Sequence, residues 1–245
     1  MDIVCFQHHD DEHAGYFRTL LARDGHKLET VMLHRGERIP DLDAFDALWV
    51  LGGPMDVWQT DQHPWLQPEV DAIKRAVADL GMPFLGLCLG HQLLAVALGG
   101  EVAPGTPEIG VLPVELAPAG HADVFTAGSP VRFHALQWHS AEVTVAPERV
   151  SVLASSPVCA VQAMQFGDTA FACQFHLEAE DDTVATWAAV PEYRDALHAA
   201  LGADGAGQLA EACAAHLSDM NHLCEQLYAN WIACAERARP RLGAI

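Results

Sequence analysis

Basic residues are scarce in this chain: 13 Lys and Arg stand against 33 Asp and Glu, a formal charge of −20. A surface for nucleic acid or anionic lipid needs clustered cations, so the expected ligands are small molecules or other proteins, with no nucleic acid and no membrane. No apolar run reaches membrane-spanning length; the longest, residues 85–100, is interrupted by His91 and Gln92. The opening MDIVCF has an acid at its second position and no basic stretch, so no secretory signal is expected. Seven cysteines are spread without a C-x-x-C pair, which argues against zinc and dithiol frameworks and fits reduced thiols in a cytoplasmic protein. A phosphate-binding P-loop is also missing, and no cofactor is expected.

What remains is an apolar-rich chain, 51% hydrophobic over 245 residues, enough for one large α/β domain. Strand patterns at 3–6, 27–33, 47–51 and 83–87, most of them apolar runs, alternate with helical patterns around 16–23 and 66–80. That alternation is the signature of a parallel sheet covered on both faces. In the second helix, Leu66, Val70, Ile73, Val77 and Leu80 recur at helical spacing and predict one buried stripe. Beyond Gly100 the spacing predicts shorter strands at 111–116, 131–138, 150–154, 160–166 and 170–175, the last two forming a hairpin through Gly167-Asp168. From about residue 183 the chain reads as helical and acidic, a C-terminal extension, 183–245, packed on a domain spanning 1–182.

The stretch 83–100, PFLGLCLGHQLLAVALGG, joins a strand pattern directly to a helix pattern with Cys88 at the junction. Gly86 and Gly90 stand two residues to either side, where a missing Cβ lets the helix start over the strand end. The cysteine then lies at a helix N-terminus, where unpaired N–H groups favour an anion. A buried cysteine in a tightly packed strand–helix unit accounts for the same residues. A thiolate nucleophile needs a base and an orienting group. His176 and Glu178, at i and i+2 of an extended segment, project from one face and offer both. Gly52-Gly53-Pro54 ends another strand, where the Gly53 N–H can face a developing oxyanion together with the N–H of Leu89.

Taken together, GLCLGHQ at 86–92, GGP at 52–54 and FHLE at 175–178 resemble the class I, triad-type glutamine amidotransferases. Further segments, among them HPWL at 63–66, LGGEV at 98–102, EIG at 108–110, QWHS at 137–140 and YANW at 228–231, are similar to the glutaminase domain of GMP synthetase and its free-standing relatives. The resemblance implies a flavodoxin-like three-layer α/β sandwich with a mostly parallel sheet, an added antiparallel hairpin region and C-terminal helices. It implies that Cys88, His176 and Glu178 form a catalytic triad acting on glutamine or a γ-glutamyl amide, with Gly53 and Leu89 as the oxyanion hole. Gly52, Gln92, Ser140 and Ala141 are then the expected substrate contacts. Two residues depart from the family pattern: Leu177 stands where Pro is frequent, and Ala141 where Asp is frequent. The glycine-rich phosphate loop of the synthetase is absent, so either a synthetase partner accepts the ammonia or the protein is a free-standing hydrolase. A non-catalytic glutamine-binding relative is the third alternative.

Elsewhere, the run His8-His9-Asp10-Asp11-Glu12-His13 carries metal-ligating atoms without fixed spacing. It reads as a solvated polar loop, and no metal is expected. His91 reads as structural, His139 as a substrate-side or packing residue, and Trp138 and Trp187 as either pocket or core.

Overall fold

A computed structural model describes residues 1–238; the end of the expected helical extension, 239–245, lies outside the described residues. The parallel part of the sheet is made by β1 (Asp2–Gln7), β2 (Lys27–Met32), β3 (Ala47–Val50), β4 (Phe84–Leu87) and β9 (Ala170–Cys173). These five lie in the order β2-β1-β3-β4-β9, each pair parallel. This is the doubly wound, flavodoxin-like order, which brings the carboxyl ends of all five strands to one edge of the sheet. The short, all-apolar β3 and β4 are buried on both faces, as central parallel strands must be.

Strand alternation divides the core in two. Ile3, Cys5, Trp49, Leu85 and Leu87 face α1 (Phe17–Asp24) and the C-terminal helices. Val4, Phe6, Leu48, Val50 and Phe84 face α2 (Leu66–Lys74) and α3 (Leu89–Ala97). The antiparallel extension continues the same sheet through β8 (Ala163–Phe166), β7 (Val150–Ser155), β5 (Glu101–Leu116) and β6 (Arg132–Val145). Gly167, at φ 58°, makes the expected tight turn of the β8–β9 hairpin.

Two expectations need correcting. The strands after Gly100 are not all short: β5 runs 16 residues and β6 runs 14. β5 tolerates its prolines because it pairs with β7 only at Glu115 and Leu116 and carries a register shift between Pro104 and Glu108. The buried stripe of α2 also fails at its end. A π-helical turn at Arg75–Asp79 changes the phase, so Leu80, which follows it, is exposed. Earlier in the helix the acidic Glu69 points inward, where it meets His8.

The extension holds α4 (Thr183–Trp187), α5 (Pro191–Leu201) and α6 (Gly205–Ala238). α6 lays Leu227, Tyr228 and Trp231 on the sheet, where Trp231 meets Trp49 edge to face at 5.3 Å and donates to the Phe84 carbonyl at 2.9 Å.

Candidate active site

Cys88 sits between β4 and α3 with φ 51° and ψ −104°, a conformation an L-residue holds only under strain. The surrounding contacts enforce it. A Cβ at Gly90 would run into the Val50 carbonyl, and the Gly90 N–H donates to the Leu51 carbonyl at 3.1 Å. The Cys88 N–H donates to the Cys173 carbonyl at 2.8 Å, which fixes the elbow to the end of β9.

The chain leaving β9 brings the expected base, His176. The His176 N–H donates to the Leu136 carbonyl at 2.9 Å and the Leu136 N–H returns a bond at 3.2 Å, keeping 174–178 extended beside β6. His176 Nδ1 lies 2.6 Å from Glu178 Oε1, and the other oxygen of Glu178 accepts the Leu177 N–H at 2.9 Å. The leucine where Pro is frequent thus supplies a donor to the carboxylate. Burial opposes charge on the imidazole, but Glu178 and the hydrogen bond to Cys88 outweigh it and hold the His176 pKa well above 6.5. Trp187 packs edge-on against the imidazole at 4.7 Å. Gln174, fully buried, donates to Cys88 Sγ at 3.4 Å.

Of these groups, Cys88 lines a cleft of about 510 Å³. One wall is Gly53 to Asp56 with Leu89 and Gln92; Trp138 and His139 to Ala141 line another; α5 contributes Glu192, Tyr193 and Ala196. Of the expected substrate contacts, Gln92, Ser140 and Ala141 line the cleft together with Cys88. The Gln92 amide is already committed, donating to the Ala141 carbonyl at 3.1 Å and to Gln174 at 3.0 Å. Gly52 lies behind the wall: its carbonyl faces His8 Nδ1 at 2.8 Å, and a Cβ there would lie 2.7 Å from Glu12 Oε2.

The His8–His13 segment is not the solvated loop its polarity suggests. His8 and Glu12 are buried, because each has a distant polar partner. His8 Nε2 lies 2.8 Å from Glu69 Oε1 of α2, and its ring stacks on Trp65 at 5.3 Å. Glu12 accepts the hydroxyl of Tyr193 from α5, and its carboxyl pKa is raised by burial despite the nearby His176. Among the described residues no cluster of His, Cys, Asp or Glu has the arrangement of a metal site. His91 is structural in its contacts: it is buried in α3, faces the Val161 carbonyl at 3.1 Å, and burial pulls its pKa down to about 4. His139 does both: it lines the cleft, yet its Nε2 lies 3.2 Å from Glu108 in a buried polar network. Trp138 lines the cleft, while Trp187 stands behind His176.

A cysteine on a strained strand–helix turn at the carboxyl edge of a doubly wound sheet, with a histidine–carboxylate pair beside it, defines a class of fold and site that known proteins share. The family model for class-I glutamine amidotransferases matches residues 15–185, and the chain belongs to that family. It is 33% identical over 168 residues to a glutamine-hydrolyzing GMP synthase subunit of Sulfolobus acidocaldarius, covering 67% of this chain and 85% of the relative. It is 32% identical to the glutamine amidotransferase-like protein YfeJ of Salmonella typhimurium, covering 70% and 73%. A crystal structure of a glutamine amidotransferase from Thermotoga maritima superposes with a TM-score of 0.84 at 25% identity, covering 95% of this chain and 98% of that one.

Proposed function

We propose that this protein hydrolyses the γ-amide of glutamine, or of a related γ-glutamyl compound, through a thioester on Cys88. The observation that carries the reading is a cysteine, Cys88, on a strained elbow at the cleft, with a buried His176 imidazole held 2.6 Å from Glu178 at the end of the neighbouring strand. Cys88 Sγ attacks the amide carbon, and the resulting oxyanion is held by the N–H groups of Gly53 and Leu89. Leu89 opens α3, so its N–H has no acceptor within the helix. His176, kept protonated by Glu178, gives its proton to the departing nitrogen as the C–N bond breaks. It then takes a proton from water, which attacks the thioester, releases glutamate and restores the thiolate.

Cys88→Ala should abolish glutamate release from glutamine and from γ-glutamyl amides while leaving the circular dichroism spectrum unchanged. The affinity label 6-diazo-5-oxo-norleucine should modify Cys88 alone, read by peptide mass spectrometry. Undiminished hydrolysis by the alanine variant would overturn the mechanism. A second reading, delivery of ammonia to a synthetase partner, is favoured by the match to a protein named as one subunit of a synthase. It predicts negligible glutaminase turnover by the purified chain until the partner is added.

A further inference from the structure

The cleft beside Cys88 has an uneven charge. Its lining includes two carboxylates, Asp56 and Glu192, and among the described residues no Lys or Arg. Glu192 is exposed at the outer edge on α5, where water serves it. Asp56 is different. It is half-buried, three residues past Gly53, and its carboxylate makes no hydrogen bond or ion pair among the described residues. Its main chain is held instead: the N–H donates to Gln59 Oε1 at 2.8 Å and the carbonyl accepts the Gln59 N–H at 3.0 Å. The side chain therefore stays at the cleft because the loop puts it there. Burial raises its carboxyl pKa with no cation nearby to offset that. A partly desolvated anion without a partner costs stability, and a cationic ligand group would relieve that cost.

We infer that Asp56 binds the α-ammonium group of the substrate's glutamyl moiety, making the cleft selective for γ-amides of an α-amino acid over their des-amino counterparts. This rests on the hydrolase reading above. Among the described residues, no other wall of the cleft offers an inner carboxylate for that ammonium. Ala141 has only a methyl group, and its carbonyl is occupied by Gln92 and by His139 Nδ1 at 3.0 Å. His139 is itself drawn toward Glu108.

The test compares glutamine with glutaramate, which keeps the γ-amide and the carboxylate but lacks the amino group. Calorimetric titration is done in the Cys88→Ala background, so binding is read without turnover. Asp56→Asn should weaken glutamine binding at least tenfold and leave glutaramate binding unchanged, bringing the ratio of the two affinities close to one. Asp56→Glu should retain part of the preference, and Glu192→Gln should leave it intact. In the Cys88-containing enzyme, Asp56→Asn should raise KM for glutamine with little change in kcat. An unchanged glutamine-to-glutaramate ratio in Asp56→Asn, or its loss in Glu192→Gln alone, would overturn the inference while leaving the hydrolase reading intact. If the Cys88→Ala protein binds neither compound and the unaltered enzyme releases no glutamate, the hydrolase reading falls, and this inference with it.

Discussion

At His176 two influences oppose each other, and under the proposed mechanism the outcome sets the pH range of the reaction. Burial favours the neutral imidazole, while Glu178 at 2.6 Å and the bond to Cys88 favour the imidazolium strongly enough to win. Replacing Glu178 by Gln removes the charge and leaves the burial. The His176 pKa must then fall, and the alkaline limb of kcat/KM against pH should move to lower pH, with kcat reduced by two or more orders of magnitude (on the order of 10²–10⁴). Leu177→Pro makes a milder change at the same spot. It deletes one N–H donor to Glu178 and leaves Oε1 with His176, so activity should fall by less than tenfold, a loss of roughly 1 kcal/mol. That His176 meets Glu178, and that Cys88 and Gly53 line one cleft, could be expected from the sequence because each belongs to a short local motif at a strand end. Glu12, His8, Gln174 and Tyr193 could not be placed in this way. Each gains its meaning from a partner far along the chain, as His8 does from Glu69 and Glu12 from Tyr193.

Helices α2 and α3 support the site in different ways. α2 turns Glu69 inward to meet His8, which in turn faces the Gly52 carbonyl. Removing one partner of a buried polar pair strands the other, so Glu69→Ala should lower stability by roughly 3 kcal/mol in urea unfolding and also reduce kcat by loosening the Gly52-Gly53 wall. α3 carries His91, which in the folded protein stays neutral down to about pH 4. The unfolded chain takes up that proton near pH 6.5, so this residue costs stability progressively as the pH falls from about 6.5 to about 4. The loss reaches roughly 3 kcal/mol. His91→Gln keeps a donor for the Val161 carbonyl but cannot titrate, and its stability should decline less over that interval. The central parallel strands β1, β3 and β4 were readable at this scale from their apolar runs, whereas the edge strand β2 carries Lys27, Glu29 and Thr30. The length of β5 was hidden by its prolines, which signal a break in a central strand but are tolerated where one side of the strand goes largely unpaired. Leu80 was misplaced because one π-helical turn rotates the residues that follow it.

Across the whole molecule, α4 to α6 form part of the same core as the sheet they cover. Trp231, Tyr228 and Leu227 fill the face opposite α3, and Tyr193 reaches the cleft wall. A chain ending at residue 182 should therefore be recovered insoluble, or as a species that binds hydrophobic dyes, not as a smaller active enzyme. Soluble expression with intact turnover would show the extension to be dispensable. The conformation of Cys88 has a consequence at this scale as well. Its positive φ is held by the surrounding fold, so the arrangement that the proposed mechanism needs is not the most durable one. Cys88→Gly, which adopts the same backbone without strain, should raise the melting temperature while extinguishing activity. A screen for heat resistance alone would then select against the proposed nucleophile, and the proposed hydrolysis would persist in a lineage only while selection for turnover opposed that drift.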